Sequence, residues 1–208
     1  MRCLALVLVG LSLWSGQAPK IVYTKVFPGS GTPYIAISVD RSGSGEFNDS
    51  PSGEDPIHFQ LKPQETEEIF ELAQKLDFFS QPLESGLKVA NLGLKTFRYE
   101  DGEKRNEVKF NYSRNPAGVV LEDWFDRIAT TAQHMIRLDR AAQYDRLGVD
   151  RELLLLEISL DKKRLAGAQM LLPVLDRIAN NSSYMNRARE RAANIAAILR
   201  GERSKQSK

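Results

Sequence analysis

Polar and apolar positions change period once along this chain. Up to about Tyr112 they alternate with a period near two, and after Asn115 they recur at helical spacing. Ile21–Phe27 and Tyr34–Asp40 predict strands, separated by the turn cluster Pro28-Gly29-Ser30-Gly31-Thr32-Pro33. Arg41–Gly45 predicts a second turn, leading to a short strand near Glu46-Phe47. A polar loop over Asn48–Pro56 and a strand over Ile57–Leu61 follow. Pro63 at a first helical position opens a helix to Leu76, with Ile69, Phe70, Ala73 and Leu76 as its buried stripe. Leu94–Glu100 and Asn106–Tyr112 predict a hairpin about Asp101-Gly102. In this hairpin Phe97, Tyr99, Val108, Phe110 and Tyr112 face a core, while Thr96, Arg98, Glu100, Glu107, Lys109 and Asn111 face water.

From Asn115-Pro116 a long helix is expected to about Leu147. Its stripe is Val120, Trp124, Ile128, Met135, Leu138 and Ala142, and Gly148 is its expected C-terminal stop. Three shorter helices should follow: Arg151–Lys162 capped by Asp150, then Ala168–Ala179, then Tyr184–Leu199 capped by Ser182 or Ser183 and closed by Gly201. The expected fold class is α+β: a small antiparallel sheet packed on helices, with a C-terminal helical extension built as a HEAT-like pair or small bundle. Too few helix pairs are present for a solenoid.

Composition is that of a globular chain. Of 208 residues 42% are hydrophobic and 27% charged, with 29 Lys and Arg against 27 Asp and Glu. The first 18 residues break that pattern. Arg2 precedes an apolar run from Cys3 to Trp14, and in Ser15-Gly16-Gln17-Ala18 small residues at the −3 and −1 positions suit cleavage after Ala18, which is the pattern of a secretory signal. The run is too short for an ordinary membrane span. The expected division is a signal peptide at 1–18, an α+β domain at 19–147, a helical extension at 148–200 and a disordered basic tail at 201–208. The sole cysteine, Cys3, leaves with the signal, so the exported chain has no disulfide, thiolate metal site or cysteine nucleophile.

Motifs of catalysis are absent in local sequence: no G-x-S-x-G, H-E-x-x-H, Walker or G-x-G-x-x-G pattern occurs. Asp40–Gly45 begins like a calcium loop, but its twelfth position is Pro51 in place of a bidentate Glu, so it reads as a hairpin turn. The two histidines, His58 and His134, have no partner at ligand spacing. No cofactor is expected.

Two stretches are candidate partner surfaces. From Arg187 to Lys208 the chain carries seven basic residues against Glu190 and Glu202, which makes Arg187, Arg191 and Arg200 candidates for an acidic partner or an anionic membrane surface. The connector Gly86–Leu94 is unusually apolar. It reads as a buried strand or as a binding loop presenting Leu87, Val89 and Leu92, the strand being favoured. Nucleic acid is not an expected partner, because no basic platform interleaved with aromatics is evident.

Pro28–Tyr34, Asp40–Gly45, and Lys95-Thr96-Phe97-Arg98-Tyr99 with Asp101-Gly102 resemble a small uncharacterised domain of bacterial secreted proteins and lipoproteins. That domain runs strand, Pro-x-Tyr strand, helix, hairpin, helix, and the resemblance covers Ile21 to about Met135. It implies the α+β fold and brings no activity with it. The functional expectation is a non-enzymatic interaction or scaffold module of the cell envelope. The alternatives are an exported hydrolase with a site assembled from dispersed Asp, Glu, Ser and His, and a binder of anionic envelope components through the basic C-terminus.

Overall fold

The computed structural model describes residues 18–202. The expected signal segment, Ala18 apart, and the basic tail after Glu202 lie outside the described residues. Six strands form one antiparallel sheet: β1 (Lys20–Val26), β2 (Tyr34–Asp40), β3 (Ser44–Asn48), β4 (Ile57–Gln60), β5 (Leu94–Asp101) and β6 (Lys104–Phe110). Their spatial order is β4-β3-β2-β1-β5-β6. Each neighbouring pair except β1–β5 is a sequential hairpin. Asp40 sets the β2–β3 turn, its carboxylate accepting the backbone N–H groups of Ser42 at 2.8 Å and Ser44 at 3.1 Å.

One face of the sheet is core. Ile21, Tyr23, Ile37, Val39, Phe47, Phe97 and Phe110 are buried there, as their period of two requires. Helices α1 (Pro63–Lys75) and α2 (Pro116–Tyr144) cover this face. Ile69, Phe70 and Ala73 of α1 are buried, as their spacing implies. The stripe of α2 is set differently from the expectation at its start: Leu121 is buried and Val120 is exposed. Asn115 caps α2, its side-chain oxygen accepting the N–H groups of Ala117 and Gly118.

Between α1 and the connector the chain makes a left-handed turn that the sequence did not signal. Asp77, Phe78 and Phe79 have φ of 49°, 46° and 67°, although none is glycine. Each such residue costs about 1–2 kcal/mol, so tertiary contacts must hold the turn. Phe79 is buried against Phe97 with ring centroids 5.2 Å apart. Phe78 lies 4.4 Å from the Tyr99 ring, and Asn106 Nδ2 donates to the Phe78 carbonyl at 3.0 Å.

The C-terminal extension consists of α3 (Val149–Asp161), a short 3₁₀ turn (Ala168–Leu171), α4 (Leu172–Ala179) and α5 (Asn186–Arg200). It docks as a small bundle: α3 and α4 pack on α2, and α5 packs on both α3 and α4. The buried side chains form one cluster from Ile21 through Ala196, so sheet and extension share a core.

Several boundaries differ from expectation. Helix α2 stops at Tyr144, because Asp145 turns the chain by accepting the Gly148 N–H on both its carbonyl and its carboxylate. Gly148 therefore precedes α3 at φ −71° and is not the left-handed stop expected of it. Asp150 lies inside the first turn of α3 and takes arginines in place of capping. The expected helix over Ala168–Ala179 divides ahead of Pro173, which supplies no N–H and suits a first helical turn. Helix α5 begins after Met185 without a side-chain cap, because Tyr184 is drawn aside and its hydroxyl donates to the Ala142 carbonyl at 2.9 Å.

Candidate functional site

The connector between α1 and β5 is not a strand. It runs without secondary structure until Leu94, and Leu87, Val89 and Leu92 are 50%, 39% and 41% exposed. The expectation of a buried strand therefore fails, and the reason is local. Gly86 (φ 69°) and Gly93 (φ 94°) adopt backbone that a strand cannot continue through. At Gly93 a β-carbon would also lie 2.9 Å from Cβ of Phe27.

Exposed apolar loops usually fray, but this one is tied down by Asn111 at the end of β6. The Asn111 side-chain oxygen accepts the Leu92 N–H at 2.7 Å, and its amide donates to the Ala90 carbonyl at 3.0 Å. Its own N–H donates to the Glu84 carboxylate at 2.6 Å, and its carbonyl accepts from Lys95 Nζ at 3.0 Å. Glu84 also accepts the Ser85 N–H. The hydrogen bond from Asn111, followed by that from Ser85, holds the Glu84 carboxyl below the usual carboxylate range. One residue thus fastens both ends of the connector to the sheet.

The register places this loop beside the uncovered face of the sheet. There Tyr34, Val26 and Leu94 form one row across β2, β1 and β5, and Ala36, Thr24 and Thr96 form the next. Ser38, Val22 and Arg98 follow, then Asp40, Lys20 and Glu100 at the far end, where Lys20 and Arg98 pair with Glu100. The face thus grades from charged to apolar toward the connector. Val26 and Leu94 are both exposed, so apolar surface continues from the sheet toward Leu92.

The three C-terminal arginines are placed elsewhere, all on α5, facing acids of the neighbouring helices. Arg187 and Arg191 both engage Asp150 of α3, and Arg191 also reaches Glu157 at 3.2 Å. Arg200 pairs with Asp176 of α4. Asp150 is buried, so the pair of guanidiniums around it fixes α5 against α3. The structure separates these arginines from Leu87, Val89 and Leu92, and each has an acidic partner within the chain.

The histidines offer a direct test of acid–base chemistry. His58 is exposed on β4 beside Glu46. His134 is buried, with Nε2 2.8 Å from the Ser159 hydroxyl and Nδ1 3.1 Å from Arg137 Nη2. A guanidinium only donates, so Nδ1 must be the lone-pair nitrogen and Nε2 carries the proton. That tautomer donates to Ser159 and cannot receive its proton, the reverse of what a nucleophilic serine needs. Burial, with Arg137 adding to it, lowers the His134 pKa to about 4 and keeps the ring neutral.

A hollow of about 220 Å³ at the β5–β6 turn is lined by Ala18, Lys20, Glu100, Lys104 and Arg105 among others, and includes no histidine, serine or aromatic residue. Among the described residues no group of three or more His, Cys, Asp or Glu could hold a metal ion. No described helix is long and apolar enough to cross a membrane.

No family model, curated protein or solved structure matches this chain.

The sequence pointed to Leu87, Val89 and Leu92, but not to Val26, Leu94 or the organising Asn111. Asn111 carries no motif. Its only local signal is an amide at the end of a strand facing a loop that contains glycines.

Proposed function

We propose that this protein is an exported, non-enzymatic binding module of the cell envelope. It takes an apolar segment of a protein partner on the connector and the adjoining end of the open sheet face. One observation carries the reading: an apolar loop exposed to solvent is tied to the end of β6 by three hydrogen bonds between Asn111 and Glu84, Ala90 and Leu92. Preorganisation of this kind lowers the ordering cost of association. The signal-like pattern of the first 18 residues and the cysteine-free remainder support the exported setting. The resemblance to a bacterial secreted-protein domain points the same way.

The test is cross-linked capture from the native cell envelope, comparing the parent with a Leu87→Ser, Val89→Ser, Leu92→Ser variant. A second comparison uses a chain ending at Gly148. The expected result is a partner held by the parent and by the shortened chain but lost by the connector variant. A partner lost only on shortening would move the interaction to the helical extension and defeat the reading.

A further inference from the structure

Helix α3 carries apolar residues on two opposite sides. Val149, Leu153 and Leu156 are buried in the core, yet Leu154, Leu155 and Ile158 are 43%, 43% and 41% exposed on the opposite side. A helix whose far side faced only water would carry polar residues there. The same outer stripe has Arg151 one turn before Leu155 and Lys162 one turn after Ile158, and Lys163 follows at once. Arg151, Lys162 and Lys163 are all exposed.

We infer that this stripe is a docking surface for an anionic lipid bilayer, with the three aliphatic side chains entering the headgroup boundary and the flanking cations meeting lipid phosphates. Two arguments select this occupant. A stable interface between protein copies covers roughly 800 Å² per partner, far more than three half-exposed side chains offer. A bilayer sets no fixed area, because binding grows with the apolar area inserted and with the attraction of flanking cations to anionic lipid. The charge is also of the matching kind: Lys162 and Lys163 at one end and Arg151, which pairs with Glu152 at 3.3 Å, at the other outnumber the exposed Asp161, and basic groups near a surface are drawn to anionic lipid. The C-terminal arginines do not compete for this role, being engaged by Asp150, Glu157 and Asp176. The inference does not depend on the connector or on any partner bound there.

The experiment is co-sedimentation of the exported chain, from Pro19 onward, with phosphatidylcholine vesicles, with and without phosphatidylglycerol, at low and high salt. Two variants accompany the parent: Leu154→Ser, Leu155→Ser, Ile158→Ser, and Lys162→Gln, Lys163→Gln. Thermal unfolding checks whether each is folded. The parent should bind the anionic vesicles only and release them at high salt. The leucine variant should lose at least about tenfold in binding, and the lysine variant should bind measurably less.

Failure of the parent to bind, equal binding to neutral vesicles, or full binding by the leucine variant would each overturn the inference. The last result would place membrane contact on another segment. If the leucine variant unfolds, the lysine variant decides alone, and unchanged binding is then the negative result. A dimer seen by light scattering that the leucine variant abolishes, without vesicle binding, would assign the stripe to a second copy instead.

Discussion

Lys25 and Lys95 stand directly opposite one another across β1 and β5, both on the covered face of the sheet. Like charges in that register repel, and Lys95 is only 3% exposed. Helix α2 resolves the conflict with two acids one turn apart: Glu122 meets Lys95 at 2.6 Å and Asp126 meets Lys25 at 3.6 Å. Burial, then Asp126 and Glu122, push the neighbouring Tyr23 phenol upward, so it stays protonated beside the cluster. Strand pairing and helix position are thereby coupled.

Breaking that coupling on one side should be costly. Glu122→Gln leaves an ammonium buried without its counter-charge and should destabilise the protein by about 3 kcal/mol, whereas Lys95→Met with Glu122→Leu should be close to neutral. Urea unfolding of the two variants checks both statements. Equal losses would show that the ion pair contributes nothing beyond packing.

His134 makes stability depend on pH. Its folded pKa is about 4 against an ordinary 6.5, so between those values the unfolded chain binds a proton that the folded chain refuses. The contribution is present in full above 6.5 and is lost as pH falls toward 4, by about 1–2 kcal/mol after solvent screening is allowed for. Urea midpoints at pH 7.5 and 5.5 should therefore diverge more in the parent than in His134→Gln. Parallel slopes would contradict the assignment.

The arginines of α5 should differ sharply in importance. Asp150→Ala removes the buried carboxylate that Arg187 and Arg191 share, leaves the largely covered Arg191 with Glu157 alone, and should cost about 2–3 kcal/mol. Arg200→Ala removes a solvent-screened surface pair with Asp176 and should leave stability nearly unchanged. Thermal unfolding of the two variants separates the cases.

One helix end can be improved. Helix α3 closes with the Lys163 N–H on the Leu160 carbonyl and the Arg164 N–H on that of Ser159; α5 closes in the same way with Gly201 and Glu202 on Ile198 and Ala197. The left-handed position is glycine in α5 but lysine in α3, where φ is 55°. Lys163→Gly should raise stability by about 1 kcal/mol in equilibrium unfolding. A loss would mean that the Lys163 side chain makes a compensating contact.

The strands were the most legible part of the molecule. Tyr34–Asp40 has the bounds its alternation implies, and the hairpin about Asp101-Gly102 places Phe97, Tyr99, Val108 and Phe110 inward, whereas Tyr112, expected with them, lies beyond the end of β6 and is exposed. The candidate surface was only half legible. Leu87, Val89 and Leu92 stood out as apolar residues in a connector, but apolar composition alone favoured burial, and it was Gly86, Gly93 and Asn111 that turned them outward.

By itself, then, the sequence determined the α+β class, the two periods and most element bounds, because these depend on backbone geometry within a few residues of each position. The tertiary structure alone decided the three-residue left-handed turn at Asp77–Phe79, the engagement of Arg187 and Arg191 by Asp150, the tautomer of His134 and the exposure of the α3 leucines. Each of these depends on a neighbour brought close by folding from a distant part of the chain or an adjoining turn. Its energy comes from burial or pairing that no local pattern encodes.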